Sequence, residues 1–304
     1  MQLPDSYLLE NARLGILGGS GLYDIEELEN VQELSIQTPF GEPSDKLRLG
    51  KLKNMEVVFL ARHGRYHTYT PTDIPYRANI WALKSLGVRW LLAPSAVGSL
   101  KKQIRPLDMV VPDQFIDRTH QRPVTFFCDG AVAHVSMADP FCPTLARLLA
   151  EEGERLMPEG RQLHRGGTYL AMEGPAFSTR AESNLYKSWG CSVIGMTNHT
   201  EARLAREAEI AYASLSMATD YDCWNEDESG VSVEMAINNL RANATLASQI
   251  VSSTAEKIAF SRPTSAAHVA LKDGLMTAKE RVPIATRKKL DLLTTPYWGT
   301  LSNN

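Results

Sequence analysis

The sequence predicts an α/β protein with a largely parallel or mixed sheet, and three observations carry that prediction. Short apolar runs alternate with helix-like stretches along the chain. Several of those runs end in loops rich in glycine, hydroxyl or basic residues. The chain has 304 residues, 43% of them hydrophobic, enough for a large buried core.

The first strand is read at 14–17 (Leu14-Gly15-Ile16-Leu17), followed by runs at 57–61, 90–93, 109–111, 192–196 and 210–218. Helix-like stretches lie at 78–86, 143–155, 178–187 and 201–208. Val233, Ala236, Ile237, Leu240, Ala244, Leu246 and Ile250 have helical spacing, which predicts one long helix over 231–260. Ser261-Arg262-Pro263-Thr264-Ser265 breaks it, and a last amphipathic helix is expected over 276–293. No repeat, low-complexity tract or linker divides the chain. The expectation is a single domain over 1–304 with a C-terminal helical extension at about 261–304.

Composition narrows the function classes. Charged residues make up 22% and the net charge is −3, so no nucleic-acid track is expected. No apolar run reaches the roughly 18 residues of a membrane span. The start, Met1-Gln2-Leu3-Pro4-Asp5-Ser6, has no basic and apolar leader, so no signal peptide is expected. Cys128, Cys142, Cys191 and Cys223 form no CxxC. They are read as free thiols of a cytoplasmic protein, without zinc.

Three loops suit an anion. Gly18-Gly19-Ser20-Gly21 offers backbone N–H groups and a hydroxyl directly after the first strand. It is not a dinucleotide turn: the third glycine of GxGxxG is missing, and Arg62 rather than an acid follows the second strand. That excludes an NAD-dependent reductase. Arg62-His63-Gly64-Arg65 supplies a planar guanidinium fork and a second donor. Ser95-Ala96-Val97-Gly98-Ser99 adds another hydroxyl. Together they point to bound phosphate.

Asp220 and Asp222 stand two apart where the 210–218 run ends, so both can face one pocket at a strand's carboxyl end. A carboxylate accepts from an amino group and, when protonated, donates to a ring nitrogen. The pair suits a 6-amino purine better than a 6-oxo one; a capping role for one Asp is the rival reading. Phe177 offers a ring for stacking, Met196 a soft apolar surface and Thr197 a hydroxyl. The Thr179 to Glu182 spacing suits a capping box better than Ser178 does. His199 is read as a surface or supporting residue.

Taken together, Gly18-Gly19-Ser20-Gly21-Leu22, Thr38-Pro39-Phe40-Gly41, Arg62-His63-Gly64-Arg65, Glu173-Gly174-Pro175 and Ala218-Thr219-Asp220-Tyr221-Asp222-Cys223-Trp224 resemble the 5′-methylthioadenosine phosphorylases. So do 78–83, 114–119 and 137–143. These are trimeric purine nucleoside phosphorylases, and the resemblance runs from about residue 13 to 260. It implies a purine nucleoside phosphorylase-like fold, a mixed central sheet flanked by helices. It implies phosphate-dependent cleavage of S-methyl-5′-thioadenosine, with phosphate as co-substrate and no cofactor or metal.

By resemblance, Ser20, Arg62, His63, Ser95, Ala96 and Thr197 match phosphate-contacting positions, and Met196 lies under the ribose. Phe177 and Ser178 match positions beside the purine. Asp220 and Asp222 match the purine-reading carboxylates, Asp220 as general acid, with Tyr221 between them on the substrate side. Val233, Ala236 and Ile237 match the helix lining the 5′-methylthio pocket. His134 matches a residue given by a neighbouring subunit, which implies a homotrimer with shared sites. Ser20 and Ser95 stand where threonine is usual, and Asn198-His199-Thr200 departs from a more apolar, proline-containing loop. A phosphorylase of broader or 6-oxopurine specificity and a silent nucleoside-binding protein are the competing readings.

Overall fold

The computed structural model describes residues 9, 11–19, 27–225 and 233–300, with backbone alone for 233–237. In chain order the elements are β1 (Arg13–Gly18), β2 (Glu29–Leu34), β3 (Leu47–Leu52), β4 (Met55–Ala61), α1 (Tyr76–Ser85) and β5 (Val88–Ser99). Then come β6 (Met109–Val111), β7 (Gln114–Arg118), α2 (Pro143–Leu156), β8 (Leu163–Arg165), β9 (Thr168–Met172) and α3 (Arg180–Ser188). β10 (Val193–Gly195), α4 (Asn198–Glu207), β11 (Ala211–Tyr221), α5 (Val233–Ser261) and α6 (Ile284–Trp298) complete the chain.

The strands form one mixed sheet in the order β2-β3-β4-β1-β5-β10-β9-β7, with β11 branching off β5 and carrying β6 and β8. The branch is the feature that makes a site. On one edge β5 pairs with parallel β1 only as far as Leu92, and with antiparallel β10 only from Gly98. Its other edge pairs with β11 along nearly its whole length. The stretch 93–97 therefore faces a crevice between the ends of β1 and β10.

Period-two alternation divides the core between the two sheet faces. Ile16, Val57, Phe59, Trp90, Leu92, Ala213 and Leu215 pack against α2 and α5. Leu17, Val58, Leu60, Leu91 and Tyr212 pack against α1, α4 and α6. Each fully buried Leu, Ile or Phe stabilises the fold by roughly 1.5–3 kcal/mol relative to exposure.

The six predicted strand positions all become strands, and four grow longer, β5 most of all, running on to Ser99, and β11 to Tyr221. β2, β3, β7, β8 and β9 have no counterpart among the predicted runs. The long helix forms as α5. The last helix is displaced: instead of 276–293, it starts at Ile284 with Pro283 as its N-cap. Val282 precedes that proline, and such a residue is driven out of the helical region. A short 3₁₀ turn, Lys279–Arg281, occupies the segment before it. α6 then continues to Trp298 and stops at Gly299, whose φ is 74°. Leu290, Leu293 and Trp298 anchor it in the α4-side core.

Candidate active site at the branch of the sheet

β1, β4 and β5 are mutually parallel through β1, so their carboxyl ends lie at one edge of the sheet. The Arg62 amide donates to the Gly18 carbonyl at 2.8 Å, which joins the first two loops. The Arg62 side chain is 1% exposed and its fork is directed inward. Nε and Nη2 donate to the Glu201 carboxylate, Nη2 also to Leu17 O and Nη1 to Pro94 O. That leaves one Nη1 N–H for an anion. Gly19 lies over this nitrogen, and a Cβ there would sit 2.4 Å from it. Burial pulls the guanidinium down, but Glu201 outweighs it and holds Arg62 well above its ordinary range. Arg65 is turned away, bound to Asp45 at 2.8 Å and Glu33 at 3.0 Å.

His63 is buried, and its Nδ1 lies 2.9 Å from the Tyr69 carbonyl. A carbonyl only accepts, so Nδ1 carries the proton. Burial pushes the imidazole down to about 4, against the Tyr69 bond and with help from Arg62. At neutral pH His63 is neutral and its Nε2 is an acceptor. His67 stacks on it with ring centres 4.3 Å apart.

Ser95 is buried and Ala96 half-buried on β5. β10 pairs Ile194 with Gly98 and Val193 with Ser99, a register that carries Met196 and Thr197 back toward Ala96 and Ser95. The Thr197 amide is fixed by the Tyr169 hydroxyl at 3.3 Å. On the other edge β11 is bulged between Ala218 and Asp220, so that Asp220 pairs with Gly98. Asp220 Oδ1 and Asp222 Cβ lie 3.3 and 3.4 Å from where a Gly98 Cβ would be. The carboxylates and the residues of the phosphate-compatible loops thus meet around 95–98 of β5.

The two carboxylates sit in different surroundings. Thr219 Oγ1 donates to Asp220 Oδ2 at 2.6 Å. Asp222 lies one residue past the strand and is buried, and its Oδ2 has no hydrogen-bond partner among the described residues. Burial pushes its carboxyl up, with Ser183 opposing. Tyr221 points outward, its hydroxyl on Lys102 O at 3.0 Å.

The 173–178 loop approaches Met196. Ser178 Oγ lies 3.4 Å from Met172 Sδ, and the Cys223 thiol donates to Ser178 O at 3.3 Å. Phe177 is 80% exposed. Thr179 and Glu182 form the expected capping box at the start of α3. His134 is exposed on a separate strap, where its amide donates to Gly274 O at 2.8 Å. Ser20 and the side chains of Val233, Ala236 and Ile237 lie outside the described residues. No cluster of three His, Cys, Asp or Glu that could hold a metal occurs among the described residues. The four cysteines are unpaired.

A family model of the phosphorylase superfamily matches residues 13–256. The chain belongs to the phosphorylase superfamily. Two similar members are the S-methyl-5′-thioadenosine phosphorylases of Prochlorococcus marinus and Emericella nidulans. The first is 74% identical over 97% of this chain and 94% of its own length. The second is 45% identical over 97% and 86%. Among solved structures, a methylthioadenosine phosphorylase from an antarctic soil metagenomic library superimposes with a TM-score of 0.89 at 51% identity, covering 93% of this chain and 98% of its own. The Schistosoma mansoni methylthioadenosine phosphorylase, in complex with adenine, gives 0.77 at 35% identity over 82% and 92%.

Several buried groups of the site belong neither to the three loops nor to the carboxylate pair above. Glu201 opens the stretch read as helix-like at 201–208, with no site role expected, yet it neutralises Arg62 and also accepts from the Tyr212 hydroxyl at 2.8 Å. His199 is wholly buried rather than at the surface, 2.9 Å from Asp117. Burial lowers His199 against the pull of Asp117. Asp117, which burial would raise, is held down at about 2 by His199 and Thr119. Arg122, its side chain fully buried, lies outside all of those motifs as well. No local pattern marks these groups: Glu201 stands among polar and charged neighbours, Asn198-His199-Thr200-Glu201-Ala202-Arg203.

Proposed function

We propose that the chain catalyses phosphate-dependent cleavage of S-methyl-5′-thioadenosine to adenine and 5-methylthioribose 1-phosphate. One observation carries the reading: an unlike pair of carboxylates flanks the same β5 glycine toward which Thr197 and the phosphate-compatible loops converge. The names of the 74% and 45% identical relatives support it.

In this reaction phosphate oxygen bonds to C1′ as the C1′–N9 bond breaks, and the bond electrons pass into the purine. Positive charge develops on the ribose, and the phosphate beneath it compensates. Holding phosphate in place removes much of the entropic cost of a bimolecular step. Arg62 offers its remaining Nη1 N–H, and Ser20, Ser95 and Thr197 offer hydroxyls. Neutral His63 accepts the phosphate's own O–H at Nε2, so hydrogen phosphate is the bound form. Asp220 is the proposed general acid at N7, help typically worth ~10²–10⁴-fold. Asp222 accepts the 6-amino group or supports Asp220. Phe177, Ser178 and Met196 border the nucleoside, and Val233, Ala236 and Ile237 the 5′ substituent; Tyr221, turned outward, drops out of that set. No organic cofactor or metal enters a step.

A shared site in a homotrimer, with His134 given to the neighbour, belongs to the same reading. The outward exposure of Phe177 and His134 supports it. A cytoplasmic location is proposed as well; no helix of the described residues is long and apolar enough to cross a membrane.

The test is base release from methylthioadenosine, methylthioinosine and inosine, with and without phosphate. Methylthioadenosine should be cleaved best, and only with phosphate. Release without phosphate would oppose the reaction, and equal use of inosine would favour the broader phosphorylase.

A further inference from the structure

Arg122 lies in the segment between β7 and α2, and its side chain is 0% exposed. Its guanidinium bonds to two separate parts of the site. On one side Nε donates to Glu173 Oε1 at 3.1 Å, and Nη2 donates to the Glu173 carbonyl at 2.6 Å. On the other, Nη1 donates to the Met196 carbonyl. The Tyr76 hydroxyl accepts from Nη1 at 3.3 Å, and the Tyr76 ring lies 5.6 Å from the guanidinium carbon. Glu173 in turn accepts from the His120 amide at 2.5 Å, the Gln121 amide at 3.1 Å and the Thr72 hydroxyl at 2.7 Å. A Cβ on Gly174 would come within 2.5 Å of Met196 Sδ, so the two parts already touch.

The Glu173 carbonyl starts the loop that carries Phe177 and Ser178. The Met196 carbonyl starts the turn into α4. We infer that Arg122 is a positioning residue for the nucleoside, one buried guanidinium that fixes the base-side loop against the ribose-side turn. The inference rests on the roles proposed above for those two segments. Only a planar fork with several donors can span both carbonyls and the carboxylate at once. Lysine is a point charge that can keep the pairing to Glu173 and no more. The phosphate side has independent supports: Thr197 is held by Tyr169, and Arg62 and His63 by β4 and their own partners.

The test compares wild type, Arg122→Lys and Arg122→Met by calorimetric titration with adenine and with phosphate, beside steady-state kinetics on methylthioadenosine. Arg122→Lys is the informative variant because it leaves no buried unpaired Glu173, whereas Arg122→Met can fail to fold. The expected result for Arg122→Lys is adenine affinity lower by about tenfold or more, with phosphate affinity within about twofold of wild type. In turnover, the nucleoside KM should rise and kcat fall, with the phosphate KM little changed. Wild-type adenine affinity in Arg122→Lys overturns the inference. So does an equal loss of both affinities with a lowered Tm, the mark of a residue that only supports the fold. Turnover separates the two proposals. A wild type that binds both ligands but releases no base with phosphate defeats the reaction, while the two affinities still decide on Arg122.

Discussion

Replacing Glu201 with glutamine removes one negative charge from a place where its partner cannot reach water. Arg62 and Glu201 are each 1% exposed. Glu201 accepts from Arg62 Nε, from Nη2 at 3.0 Å and from Tyr212 Oη at 2.8 Å. Glutamine keeps one acceptor oxygen and turns an N–H₂ toward groups that are themselves donors. Leaving a buried charge uncompensated costs about 3–5 kcal/mol. At roughly 2–4 °C per kcal/mol for a chain of this order, Tm should fall by about 6–20 °C.

Scanning calorimetry with and without phosphate is the assay. Phosphate should stabilise the variant more than wild type, because the anion returns negative charge to the remaining Nη1 N–H of Arg62. Ligand at about 100 times Kd contributes about 2.7 kcal/mol by mass action alone, which sets the wild-type reference. The double change Arg62→Met, Glu201→Leu should be more stable than Glu201→Gln, since it orphans no charge. A Tm within about 2 °C of wild type refutes the buried-pair argument. Equal phosphate shifts in the two proteins refute the contact between Arg62 and phosphate.

Three further outcomes are expected. Asp220→Asn should lower turnover on methylthioadenosine by ~10²–10⁴-fold and shift preference toward 6-oxo nucleosides; unchanged rate and selectivity would sink the general-acid role. Glu207 is buried and accepts from Thr125 Oγ1 and the Phe126 amide, both at 2.7 Å, and burial pushes its carboxyl up to about 7. Its folded value lies above the unfolded range near about 4.3, so its stability is present below that pH and is lost as pH rises through about 7. Glu207→Gln should therefore gain in Tm relative to wild type between about pH 5 and about pH 8, and a constant difference across that range would contradict the assignment. Thr179→Ala should cost about 1 kcal/mol in urea unfolding by removing the Thr179 side-chain half of the α3 capping box; no measurable loss would show that tertiary contacts alone hold the helix start.

What the sequence made legible follows from burial. β1, β4, β5, β6, β10 and β11 are buried almost throughout, and their unbroken apolar runs announce them. Strand β2, Glu-Asn-Val-Gln-Glu-Leu, has five exposed residues of six and carries no such signal. Strand β8 has three residues, too few for a period. In the site, residue types at strand ends were readable because glycine, hydroxyl and basic residues act locally. Partner choice was not readable. Arg62 meets Glu201 across 139 positions, and Arg122 reaches Glu173 and Met196 across 51 and 74. Such pairings depend on the crossing of strands at β5, which no local pattern encodes.

The same limit explains the carboxylate pair. As positions i and i+2 of a strand the two are equivalent; the bulge at 218–220 and the strand end at Tyr221 separate them. Asp220 receives the Thr219 hydroxyl at 2.6 Å, whereas Asp222 is buried, which favours its protonated form. The proposed reaction asks one proton of the pair, passed to N7 by Asp220. Adenine presents one acceptor, N7, and one donor, the 6-amino group. It is matched by a pair with one proton: one O–H to give and one carboxylate to accept. A 6-oxo purine presents two acceptors and would need a second proton on the pair. In the proposed reaction, then, base selectivity is a proton count. Activity on inosine relative to methylthioadenosine should rise as pH falls, and a ratio that does not change with pH would refute the count.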